Sequence, residues 1–572
     1  VALCSDLDGP SPTLPFGDSS YRVFMTPVLT ASPLDLEKKV GQQLFTYCPG
    51  VCSFDSRMYL TSTICDITDY SGIKTQTPEH SASVSMLPQG IGNTGNFMSV
   101  FDLSGLTRGI QYRLCLDTDG VTVVESFGDT GFTIYLRAVT ESGGFIFRAP
   151  NQQVTMRCAD GGCTGAVTSA YLSQACDSTE LGPQIAANGE LHTATNYLGG
   201  PLGFPEYYFV VLDASLLAPG RHYKLCTDLD SDQMGVTNVV MGENPFQWYV
   251  TPVQGIPHPV MGSIRARSLR KAPNQVVELI CADFCTNWTS AYLGVTCDAS
   301  DFDGVRPAKL PLSTEAVYLE PRVGFGADQW TFTIDATHLT LGRTYIVCID
   351  LDGPVTTYAF GDSGVTAFVS PVVASMTKAV FRFVQQQIQL ECFSETSCTA
   401  DTRAYLAAGI LGVGTVPEAC DIKLDGDKND QGDINTASVY LTGTGKIRTL
   451  QVEAQNLLWG ASYRVCVDLD GRFPTNIEGD LVSLTYGTTG IDNIYVSPIT
   501  EMIPRRLLNE ASQELDLYCQ YGGCSPQLTL YLAREPCEFL NYGGTQTADG
   551  SIRTASVSLE PKFYYWKATF DL

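Results

Sequence analysis

This chain of 572 residues has no run of about eighteen apolar residues, so nothing in it is long and apolar enough to span a bilayer as a helix. Its first residues lack the basic and apolar stretches of a secretory signal, and a chain opening at Val1 is expected to have been processed or excised. Basic residues are in deficit: 35 Lys and Arg face 61 Asp and Glu, for a net charge of −26. A phosphate-binding surface needs clustered Lys and Arg, so nucleic acid is excluded as a partner and an anionic membrane surface is disfavoured. Histidine is scarce. His80, His192, His222, His258 and His338 fall at non-equivalent places in the repeat described below, which argues against a repeated metal or acid–base site built on them. No nucleophile with a base, catalytic carboxylate pair or metal cluster stands out, and the chain is not expected to be an enzyme.

Cysteine, by contrast, is plentiful. Twenty cysteines in repeated quartets predict a disulfide framework, an oxidising compartment and an extracellular or cell-surface location. One recurs at Cys4, Cys115, Cys226, Cys348 and Cys466, a period of about 110 to 120 residues, which makes a string of modules each able to bury its own core rather than a solenoid of short repeats. A short motif marks each boundary: Thr26 to Val28, Arg137 to Val139, Thr251 to Val253, Ser370 to Val372 and Ser497 to Ile499. Four complete modules are expected at 27–137, 138–250, 251–370 and 371–497. Residues 1–26 match only the last two strands of a module, F and G, and residues 498–572 only strands A to E. Linkers are nearly absent, so neighbouring modules are expected to be stiffly coupled.

Within a module the apolar residues alternate with period two, as strands require. The module at 251–370 shows seven short runs of this kind, at 263–270, 275–281, 290–295, 316–321, 330–336, 344–351 and 366–372. Before the recurring cysteine stands Gly-x-x-Tyr-x-apolar-Cys, with Gly109 and Tyr112, Gly220 and Tyr223, Gly342 and Tyr345, and Gly460 and Tyr463. This motif resembles the tyrosine corner of immunoglobulin-like and fibronectin-like sandwiches, with the Tyr three residues before the Cys instead of two. On it the chain is similar to tandem immunoglobulin-like chains of extracellular fibres and adhesins, and loosely to mastigoneme-type algal and protist surface fibres. The resemblance implies an all-β fold of tandem, disulfide-clipped, seven-stranded sandwiches, and a Tyr hydroxyl that bonds back to the backbone at the turn between strands E and F.

Strand faces constrain the disulfides. In strand F, Tyr345, Val347 and Ile349 share the face that must meet the core, so Cys348, Asp350 and Asp352 point outward. In strand B, Leu279, Leu390 and Leu517 lie two residues before Cys281, Cys392 and Cys519, which puts those cysteines inside. A bridge from B to F across the core is therefore disfavoured. So is one from the second to the third cysteine, which flank strand C beyond the roughly 7 Å reach of a disulfide. The faces favour clips joining Cys48 with Cys52, Cys158 with Cys163, Cys281 with Cys285, Cys392 with Cys398 and Cys519 with Cys524. They favour outer staples joining Cys65 with Cys115, Cys176 with Cys226, Cys297 with Cys348 and Cys420 with Cys466.

After the strand F cysteine comes Asp-x-Asp: Asp6 and Asp8, Asp117 and Asp119, Asp228 and Asp230, Asp350 and Asp352, Asp468 and Asp470. Such pairs suit two readings. One is calcium, the only cofactor entertained, held at sites such as Asp117 with Asp119 and Asp350 with Asp352. The other is turn chemistry for a long F to G hairpin above a solvated outer row. The spacing has no EF-hand Asp-x-Asp-x-Asp-Gly run and no Glu at the twelfth position. The strand C tyrosines Tyr59, Tyr171, Tyr292, Tyr405 and Tyr531 are expected to pack rather than to stack sugars. Asn287 heads the one N-x-[ST] sequon, on an exposed B to C loop, and is a glycan acceptor candidate.

Two functional classes follow. In the first, the chain is a structural subunit of an extracellular fibre whose copies join head to tail, residues 498–572 of one completing a sandwich with residues 1–26 of the next. Cys4 then bonds to Cys537 of the neighbour, and Val1 replaces the corner Tyr. In the second, it is an adhesin or recognition protein that binds ligands, glycans among them, through sandwich loops.

Overall fold

The computed structural model describes residues 1–572 apart from 1, 6–15, 91–94, 123, 160, 166, 177–184, 202–205, 230–240, 259–261, 265, 282–283, 303, 323–327, 356, 411–419, 421–426, 472–483, 492–493, 535–536, 538–545 and 550–551. Val1, Asp6, Asp8 and Asp230 therefore lie outside the described residues, and for Asp18 only the backbone is described. Among the described residues regular structure is all β except for a 3-10 turn at Gly120–Thr122. The described residues fall into two compact units, Val1–Val250 and Thr251–Leu572, each considered by itself.

Two sheets face one another in the sandwich at 27–137. One holds strand A (Thr30–Ser32), B (Val40–Tyr47), E (Asn96–Asp102) and the short Leu87–Pro88; the other holds A′ (Asp35–Glu37), G (Gly128–Arg137), F (Gln111–Asp117), C (Arg57–Thr61) and Val84–Ser85. This is the immunoglobulin-like order. The seven-stranded pattern is kept, with the first strand broken between the sheets: A runs antiparallel to B, whereas A′ runs parallel to G. Pro33, which has no N–H to give to a ladder, stands at the break. The same change of sheet occurs between Val139–Ser142 and Gly144–Phe147, Val253–His258 and Ala266–Leu269, and Val372–Ser375 and Ala379–Val380. In the sandwich after Thr251 strand A thus begins at Val253, well before the expected 263–270, which supplies its hairpin partner Gly262–Ile264 and A′ instead.

Boundary motifs have a physical role. The Thr26, Thr251, Ser370 and Ser497 hydroxyls each accept the N–H of the residue two further on, at 3.1 Å. This closes a small turn between one strand G and the next strand A. One or two residues separate the strands at Thr251, Ser370 and Ser497, as with Gly361–Val369 and Val372–Ser375, whereas seven separate Gly17–Arg22 from Thr30–Ser32. A second recurring device sits before strand B. The Gln42, Gln152, Gln275, Gln386 and Gln513 side-chain oxygens accept the N–H of the residue five positions earlier, at 2.9 to 3.0 Å.

Residues 498–572 form one sheet of A (Ile499–Ile503), B (Gln513–Cys519), E (Trp566–Phe570) and Glu560–Pro561, faced by the pair Thr529–Leu530 and Val557–Ser558. Ala2–Ser5 and Gly17–Arg22 pair antiparallel in a separate two-stranded sheet. Its register, Cys4 opposite Asp18 and Ser5 opposite Gly17, with a bulge before the cysteine, repeats that of Cys115 opposite Asp129 and Leu116 opposite Gly128.

Candidate functional site

Strand F organises the chemistry of every sandwich. The Tyr112 hydroxyl accepts the Thr107 N–H at 2.9 Å and donates to the Thr107 carbonyl at 3.1 Å. Tyr223, Tyr345 and Tyr463 accept from Ala218, Thr340 and Leu458, again five residues earlier, and donate across to the Glu190, Pro311 and Asp433 carbonyls. This is the tyrosine corner: four fully buried rings with both hydroxyl functions used.

The clips close as Cys48–Cys52, Cys158–Cys163, Cys281–Cys285, Cys392–Cys398 and Cys519–Cys524, and the staples as Cys65–Cys115, Cys176–Cys226, Cys297–Cys348 and Cys420–Cys466. Clip sulfurs at the end of strand B lie in the core between the sheets, as Cys48 and Cys52 do among Leu44, Met58 and Phe97. The staples lie on the opposite face of strand F, and there the structure departs from the expected solvated row. That face carries a second, smaller apolar cluster: Tyr59, Cys65, Cys115 and Phe127 in one sandwich, and Tyr405, Cys420, Cys466 and Tyr486 in another. The strand C tyrosine is its centre, edge-on to Phe127 at 4.7 Å or to Phe360 at 4.8 Å. Strand C and the F to G loop cover the outer face, so the first Asp of each described pair is buried: Asp117, Asp228, Asp350 and Asp468 are 0 to 2% exposed.

Those carboxyls are held by their own loop. Asp117 accepts the N–H groups of Asp119 and Gly120 at 3.2 and 3.1 Å, and Asp119 accepts those of Val124 and Glu125. Asp352 accepts the Thr357 and Tyr358 N–H groups in the same way. Burial, together with a hydrogen bond to Asp119, pushes the Asp117 carboxyl up to about 7, and burial beside Asp352 pushes Asp350 up to about 8. Burial also acts to raise Asp119, but hydrogen bonds from Thr122, Asp117 and the loop amides outweigh it and hold that group below its usual value. Asp117 and Asp119 are thus shifted in opposite directions, the buried carboxyl towards the acid and the loop carboxyl towards the carboxylate. Among the described residues no three His, Cys, Asp or Glu converge as cation ligands.

The glycine after the pair completes the loop. Gly120, Gly353 and Gly471 have φ of +64°, +56° and +61°, and a Cβ there would stand 2.0, 2.0 and 1.8 Å from the carbonyl oxygens of Asp55, Trp288 and Asp401 on the B to C turn. Hydroxyls of Ser56, Thr289 and Thr402 on that turn donate back to the Thr118, Leu351 and Leu469 carbonyls. Asp-x-Asp-Gly therefore locks one loop to the other.

Asn287 is exposed on this turn, two residues before the buried Thr289. The histidine assignment needs correcting. His80 and His192 are equivalent: each bridges the residue two past the strand C tyrosine and stands edge-on to that ring, at 5.9 Å from Tyr59 and 5.8 Å from Tyr171. Loop lengths of different size hid the match. Ser313, Asn435 and Arg553 occupy the corresponding bridge elsewhere, so the position carries no constant chemistry.

At the two half-sandwiches, positions buried elsewhere are uncovered. Phe16 is 73% exposed, whereas its counterparts Phe127, Met241, Phe360 and Tyr486 are all at 0%. Cys4 and Cys537 are exposed free thiols, while Cys115, Cys226, Cys348 and Cys466 are fully buried. Leu532 and Leu530 beside Tyr531 are half-buried, against 0% for Leu172, Leu293 and Leu406 and for Ala170, Ala291 and Ala404 at the same positions.

No protein family and no curated protein matches the chain. Among solved structures, a marsupial T cell receptor is similar over 61% of this chain and 97% of its own length at 9% identity, with a TM-score of 0.14. The ectodomain of a teleost fish polymeric Ig receptor is similar over 42% of this chain and 98% of its own at 10% identity, with a TM-score of 0.15.

Proposed function

We propose that this chain is a structural subunit of an extracellular fibre, joined head to tail when the hairpin of residues 1–26 in one copy completes the half-sandwich of residues 498–572 in another. The observation that carries this reading is the exposure of Phe16 and Cys4, whose counterparts are fully buried in every complete sandwich. The register supports it. Each complete sandwich sets the strand F cysteine opposite the strand C tyrosine, Cys115 with Tyr59 and Cys348 with Tyr292, so Cys4 would fall opposite Tyr531 and within reach of Cys537. Covering Phe16 would stabilise the joint by about 1.5 to 3 kcal/mol, and the half-buried Leu530 and Leu532 would each add less. The nine disulfides suit an oxidising, extracellular setting.

Negative-stain microscopy and sedimentation of the oxidised chain at rising concentration test this. Filaments with an axial repeat of one chain are expected. Discrete rods that never join would favour the adhesin reading, in which sandwich loops, with Asn287 glycosylated or not, face a ligand.

A further inference from the structure

Consecutive sandwiches within a unit meet through one repeated contact. Near the end of strand G an aromatic ring, Phe24, Tyr135 or Phe368, lies over the glycine that opens strand G of the following sandwich, Gly128, Gly242 or Gly487. A Cβ on any of these glycines would stand 1.9 Å from a ring carbon. None of the three has a left-handed φ, so the ring, not the backbone, requires glycine there. Tyr135 and Phe368 are sealed by the contact, at 4% and 2% exposed, and Phe24 is half-buried. Tyr135 also bonds through its hydroxyl to the Thr227 hydroxyl at 3.3 Å.

The ring in this position at the end of the sandwich at 371–497 is Tyr495, and it is 38% exposed. It stands near Cys537, as Tyr135 stands beside Cys176. The glycine in this position on the N-terminal hairpin is Gly17, which pairs with Ser5, the residue after Cys4 as Thr227 is the residue after Cys226. The chain thus carries a ring that is exposed at this position and, on the hairpin, a glycine in the matching register.

We propose that Tyr495 of one copy seats over Gly17 of a second copy, its hydroxyl on Ser5 and its ring beside the Cys4–Cys537 bond. The stack of sandwiches then crosses the joint through the contact it uses inside the chain. This rests on the head-to-tail reading above and adds to it a surface outside the completed sandwich.

The test uses the full chain. Gly17→Leu places a side chain where the ring must lie and is expected to weaken association at least about tenfold by sedimentation velocity. Its thermal unfolding as a single chain should match that of the wild type. A second variant carries Gly17→Cys and Tyr495→Cys with Cys4→Ser and Cys537→Ser, and is expected to give an interchain disulfide ladder on a non-reducing gel. Undiminished association of Gly17→Leu, or absence of the ladder while the wild type assembles, overturns the contact and leaves the head-to-tail reading standing. A wild type that stays monomeric at every concentration overturns that reading, and the contact with it.

Discussion

A carboxyl that is neutral near neutral pH makes the F to G loop a pH-dependent element. Asp117 and Asp350 are raised in the folded chain to about 7 and about 8, above their usual 3.8. Between about pH 4 and pH 8 the folded chain therefore holds protons that the unfolded chain has released, and stability falls as pH rises through that window. Thermal unfolding should show a lower midpoint at about pH 8.5 than at about pH 5.5. In the double variant Asp117→Asn with Asp350→Asn, whose amides donate permanently to Asp119 and Asp352, that difference should shrink. A variant with the full wild-type slope would contradict the assignment. The corner tyrosines give a second test: Tyr112→Phe removes both bonds to Thr107 and should cost that sandwich about 1 to 3 kcal/mol in urea unfolding, since it strips a buried N–H and carbonyl of their partner. At this level the sequence is informative about type and uninformative about burial. Alternation correctly sends Cys348 and Asp350 away from the core between the sheets, but period two cannot reveal that Phe360, from a loop ten residues on, folds back to bury them.

Strands and their staples carry the next level of stability. The staple Cys65–Cys115 spans 50 residues and the clip Cys48–Cys52 only 4. Loop-closure entropy then gives about 4 kcal/mol for the first and about 2 for the second. Cys65→Ala with Cys115→Ala should accordingly lower the urea midpoint of that sandwich more than Cys48→Ala with Cys52→Ala. Equal losses would show that the clip acts through the core residues around it instead. Strand identity was legible because apolar alternation and the Tyr-x-apolar-Cys signature recur in every module. The break of strand A between sheets was not, because Pro33 and the paired Gly143 and Gly144 read as ordinary turn residues until their ladders are known. Bridge geometry also required the structure: only the register of strand C against strand F, Tyr292 opposite Cys348, brings Cys297 within 5.4 Å of Cys348.

For the molecule as a whole, the proposed assembly rests on residues that are exposed where their counterparts in complete sandwiches are buried. The sequence made the two half-modules visible by alignment alone. It could not show that Phe16 and Tyr495 stand uncovered while Phe127, Tyr135 and Phe368 are sealed, because exposure is a property of what lies opposite. Cys4 and Cys537 would report on the proposed joint without perturbing it. Assemble an equal mixture of unlabelled and ¹⁵N-labelled chains under oxidising conditions, digest without reduction, and identify the disulfide-linked peptides by mass. Head-to-tail completion predicts a Cys4–Cys537 peptide, about half of it hybrid with one heavy and one light arm. Assembled material in which both thiols remain free to alkylation, or in which that peptide is never hybrid, would contradict it.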